Sequence, residues 1–62
     1  MVKDKTYIIK NTTNQRLMEM GVVKGTIVRV VKRMSGMIQL KLNNSFIVIR
    51  EELLKEIDYD EN

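Results

Sequence analysis

A chain of 62 residues makes one domain, spanning 1–62, and a chain this short buries only about 60% of its unfolded surface, so it needs a dense core or a partner. It has no cysteine and no histidine, which excludes a disulfide staple, removes the commonest metal ligand and leaves catalysis without its usual base or best nucleophile. A hydrophobic fraction of 44% with three aromatics suits an aliphatic core, and a net charge of +3 over a charged N-terminus with no long apolar run reads as a soluble cytoplasmic protein without leader or membrane span.

In chain order, Thr6–Lys10 is β-branched and aromatic and reads as a first strand ended by Asn11-Thr12-Thr13-Asn14. Thr12 with Gln15 three residues on has the form of a capping box, which predicts a helix over Thr13–Met20 with Leu17 and Met20 on one face. Gly21 stops that helix in the left-handed conformation, and Val22 folds back on Leu17. Gly25 provides a second joint before a valine-rich strand over Thr26–Arg33, with Val28 and Val30 inward. Met34-Ser35-Gly36 is a turn.

Two further strands, Met37–Leu42 and Ser45–Arg50, flank Asn43-Asn44, and asparagine tolerates the positive φ of a type I′ turn. Such a turn pairs Leu42 with Ser45, Leu40 with Ile47 and Ile38 with Ile49 on an apolar face. Glu51–Lys55 is long enough for one helical turn, and Glu56–Tyr59 makes a closing fifth strand. Five short strands and one short capping helix predict a small all-β, SH3-like barrel.

Charge is split along the chain. Residues 1–50 carry ten Lys/Arg against two acids, a net +8, whereas residues 51–62 carry one lysine against six acids, a net −5. That pattern suits a partner with its own charge arrangement or weak self-association.

The serine residues lie in turns without a base, and Glu51-Glu52 are adjacent and face apart, so the chain does not read as an enzyme. Protein sites for divalent transition metals favour imidazole with carboxylate, and without imidazole any such binding is expected to be millimolar or weaker. No cofactor is expected. Lys24, Arg29, Lys32, Arg33 and Lys41 cluster on the middle strands, but Tyr7, Phe46 and Tyr59 are scattered and form no stacking platform, so nucleic acid is a secondary reading. Protein binding is the best-supported class. Ile27, Val31, Met37, Phe46 and Val48 fall opposite the core face, and Met18 lies off the helix stripe. The candidate partner-binding set is Met18, Val22, Val23 and Lys24 at the glycine-bounded corner, with Arg29 and Arg33 on the strand that follows.

Arg16, Leu17, Met20, Gly21, Val22, Gly25, Thr26, Val28 and Val30 fall on the central pattern of the FeoA family, which the chain resembles. The resemblance continues through Gly36–Leu42, Ile47–Arg50 and Glu52, Leu54, Ile57 and Tyr59. Lys24 stands where the family usually has proline, Leu54 where it has a small residue, and Gly36-Met37 replaces a frequent Gly-Pro. The resemblance implies an SH3-like domain acting as a cytosolic accessory of a ferrous iron transporter. Its expected partner is a FeoB-like membrane protein with a cytoplasmic GTPase region. Two alternatives stand beside it: a module related to the SH3-like domain of iron-dependent repressors, and a small nucleic-acid-binding barrel.

Overall fold

A computed structural model describes all residues 1–62. Strands β1 (Thr6–Thr12), β2 (Ile27–Met34), β3 (Met37–Lys41), β4 (Phe46–Arg50) and β5 (Ile57–Glu61) form one antiparallel sheet in the order β4-β3-β2-β1-β5. Helix α1 (Gln15–Glu19) lies between β1 and β2, and a 3₁₀ helix, Glu51–Glu56, leads from β4 to β5. The fold is all-β and consistent with the expected SH3-like arrangement. The sheet is curled but not closed, because β4 and β5 make no ladder with each other.

The curl follows from side-chain alternation. Tyr7, Ile9, Val28, Val30, Ile38, Leu40, Ile49 and Ile57 come from all five strands, and with Leu17, Val22 and Leu42 they form one buried cluster. A single inward face can meet itself this way only if the sheet bends around it. Two bulges assist, one in β1 between Ile9 and Asn11 and one in β2 between Val30 and Lys32. The second bulge reverses the alternation that the sequence implies for β2. Past the extra residue Val31, Arg33 lies opposite Ile38 and so shares its inward face at the open end of the sheet.

Three local expectations change. The helix starts two residues later than predicted and is capped by Asn14, whose Oδ1 accepts from the Leu17 N–H at 3.1 Å. Thr12 is instead a buried strand residue, paired with Ile57, and its hydroxyl donates to the Glu56 carbonyl. Completing the β1–β5 ladder takes Thr12 away from any capping role. The β3–β4 register is as predicted, but neither asparagine has positive φ, so that connection is not type I′. The type I′ signature lies one hairpin earlier, at Ser35 (φ 51°) and Gly36 (φ 76°) between the paired Met34 and Met37. Finally, β5 runs to Glu61 rather than ending at Tyr59. No helix is long and apolar enough to cross a membrane.

Candidate functional site: an apolar corner between two glycines

Helix α1 is only five residues long and is held by its ends and its underside. At its C-terminus the Gly21 N–H donates to the Met18 carbonyl at 3.0 Å and the Val22 N–H to the Leu17 carbonyl at 3.0 Å. This is the paired Schellman arrangement, with Gly21 at φ 102° and its hydrophobic contact supplied by Val22 and Leu17, both in the core. The chain then turns at once. The Thr26 N–H donates to the Val23 carbonyl at 3.0 Å, closing a four-residue turn whose third residue is Gly25 at φ 90°, the type II pattern. The Gly25 N–H donates to the Ile9 carbonyl at 2.7 Å, and the Thr26 hydroxyl to the Gly21 carbonyl at 3.3 Å. The corner is therefore bonded to β1, to the end of the helix and to itself.

Rigid backbone here carries exposed apolar side chains. Met18 and Val23 are each 42% exposed, whereas Val22 is fully buried and supports the corner from below. Lys24 is exposed and makes no ion pair, though it borders a groove of about 390 Å³ shared with Lys10, Asp58 and Asp60. Arg29 lies on the outer face two residues after Ile27, with Asp4 at 3.9 Å as a loose partner. The other basic residue of the set lies elsewhere. Arg33 is six strand residues beyond Ile27, roughly 20 Å along β2, where its guanidinium binds the Glu51 carboxylate and the Met1 carbonyl. Met18, Val23 and Lys24 thus flank the same glycine-bounded turn, Arg29 follows on β2, and Arg33 lies at that strand's other end.

A second exposed apolar surface lies on the outer face of β2, β3 and β4. Met34, Phe46 and Val48 are each more than half exposed there, and Lys41 Nζ sits 5.9 Å from the Phe46 ring centroid. The sequence showed Phe46 and Val48 as outward-facing, whereas Met34 read as part of a turn and is instead the last residue of β2. The sequence did not show Arg16, which with Leu17, Met20, Val48, Ile49, Arg50 and Leu53 lines a groove of about 510 Å³ beside β4. Nothing local in the sequence signals that groove, since its walls come from four separate elements. No group of three or more Asp and Glu side chains is gathered where it could hold a metal ion.

Fold and surface together define a small β-domain with two solvent-facing apolar areas on a rigid frame. The FeoA domain family model matches residues 2–58, and the chain belongs to that family. No curated protein and no solved structure matches the chain. Membership ties the protein to ferrous iron transport.

Proposed function

We propose that the protein is a non-catalytic cytosolic accessory of a ferrous iron transporter and that it docks through the glycine-bounded corner on the cytoplasmic GTPase region of a FeoB-like permease. The observation that supports this most is Val23, an exposed valine at the first position of a turn whose backbone is already held on both sides. Apolar side chains on such a frame lose little conformational entropy when they dock. Met18 adds adaptable contact area, Lys24 and Arg29 add positive charge that steers encounter with an acidic surface, and Val22 holds the corner's shape. Arg33 contributes indirectly, by tying β2 to Glu51 at the start of the 3₁₀ helix. Binding of this kind acts by shifting the populations of the transporter's states.

Capture of the purified transporter cytoplasmic region on immobilised protein tests the reading. Val23→Asp is expected to abolish capture and to change stability by no more than about 0.5 kcal/mol, as exposed positions do. Arg29→Ala is expected to slow association in a salt-dependent manner. A folded Val23→Asp variant that is captured as well as the parent refutes the corner as the interface.

A further inference from the structure

We propose that the open edge of β4 is a second docking surface, which takes an extended apolar peptide segment carrying an acidic side chain and adds it to the sheet as a sixth strand. The proposal is independent of the corner, with which it shares no proposed contact residue.

The backbone argument comes first. The Leu42 N–H donates to Ser45 O at 2.8 Å and the Glu51 N–H to Gly36 O at 2.8 Å. Both bonds sit in the register that pairs Leu40 with Ile47 and Ile38 with Ile49. In an antiparallel ladder, facing alternates residue by residue. Residues 45, 47, 49 and 51 therefore turn their N–H and C=O groups toward β3, and Phe46, Val48 and Arg50 turn theirs outward. β4 is the end strand, so no other strand takes up those outward groups, although the Arg50 carbonyl lies at the N-cap of the 3₁₀ helix. The outward groups repeat every two residues over roughly 13 Å, the repeat of an extended chain and of nothing else.

The two edges of the sheet differ in how they are guarded. β5 carries Asp58, Asp60 and Glu61 along its five residues, the charge that normally discourages strand addition. β4 reads FIVIR, with no register shift against β3, and its outward side chains Phe46 and Val48 are each 56% exposed. An apolar, unbulged edge without a covering element is the arrangement that accepts another strand.

The groove beside the edge supplies the rest of the chemistry. It has apolar walls from Leu17, Met20, Ile49 and Leu53, and its volume of about 510 Å³ falls in the range of occupied ligand sites. Side chains on one face of an added strand enter it, and those on the other lie beside Val48 and Phe46. Arg16 also lines the groove, and alone of the four arginines it has no carboxylate within 4.0 Å. Arg50 has only Glu52, at 3.7 Å, with both side chains well exposed. The groove is also lined by Asn14 and Glu52, so its two guanidinium groups outnumber its one carboxylate, and that excess positive charge calls for an acidic residue on the incoming strand.

The probe is a fluorescein-labelled, amidated peptide of sequence Leu-Thr-Glu-Thr-Val-Thr, titrated against the full chain by anisotropy. Saturable binding tighter than about 1 mM is expected, weakened about tenfold or more when the peptide's glutamate is replaced by lysine or when the protein carries Arg16→Glu. Val48→Pro removes an outward N–H without touching the β3 ladder and is expected to abolish binding. Should that variant misfold, amide hydrogen exchange on the unaltered protein decides the matter. The N–H groups of Phe46, Val48 and Arg50 are expected to slow on addition of peptide. No saturable rise, undiminished binding to folded Val48→Pro, or protection confined to other amides overturns the proposal. Sedimentation showing a dimer without peptide that Val48→Pro dissociates also overturns it, by making a second copy of the chain the occupant.

Discussion

Gly21→Ala is the substitution that most sharply tests how the corner is built. Gly21 holds φ 102°, beyond the left-handed well that an L-residue reaches at moderate cost. Occupying even that well costs an L-residue about 1–2 kcal/mol. A Cβ placed there also meets Leu42 Cδ1 at 3.3 Å, so a buried side chain must give by a few tenths of an ångström. Against these terms stands a gain of about 0.4–1 kcal/mol from stiffening the unfolded chain. The net expectation is a loss of about 1–2 kcal/mol, read as a lower urea midpoint with unchanged slope, or as a fall in Tm of about 4–8 °C per kcal/mol at this size. Gly36→Ala is the internal control. It has φ 76° and nothing within 4 Å of the added carbon, so strain acts there without contact and the loss is smaller. A synthetic chain with D-alanine at position 21 separates the terms, because a D-residue accepts positive φ and is expected to recover most of the loss. Equal, negligible losses for Gly21→Ala and Gly36→Ala refute the helix-stop argument.

Three further outcomes follow from particular contacts. Asn14→Ala is expected to cost about 1 kcal/mol in urea melts through loss of the helix cap, and Gln15→Ala close to nothing; the reverse order would restore the Thr12–Gln15 capping box. Lys24→Pro is expected to raise stability by about 0.4–1 kcal/mol, since Lys24 occupies the second position of the Val23–Thr26 turn and its N–H donates to nothing. A loss of stability would show that the turn is not type II. Anaerobic calorimetry with iron(II) is expected to show binding no tighter than about 1 mM, and a stoichiometric micromolar site would contradict the argument from ligand chemistry.

Much of this molecule is set by short-range pattern. The alternation of Val28 and Val30, of Ile38 and Leu40, and the run Leu17–Val22 each have one physical solution within a few residues, and the structure adopts it. The β3–β4 register also follows locally, because a one-residue slip would expose Ile38, Leu40 and Ile49 together. What went unread needed the rest of the chain. Thr12 looks like a cap until β5 arrives to pair with it, and Asn14 takes the role because it is the next residue free to do so. Asn43-Asn44 and Ser35-Gly36 carry comparable turn chemistry, and the twist and bulge around β2 decide which hairpin adopts positive φ. Arg33 reads as outward until Val31 bulges and turns it inward onto Glu51.

The candidate surfaces divide the same way. The corner is legible from sequence because two glycines, a helix stop and an unpartnered valine are neighbours along the chain. The β4 edge and its groove are not, since strand order, the unguarded edge and the meeting of Arg16 with Val48 and Leu53 exist only once the sheet has curled. Local hydrogen bonding and side-chain periodicity act over a few residues and are written in order along the chain, whereas edges and grooves arise from closures across thirty or more residues, whose cost and reward belong to the whole core.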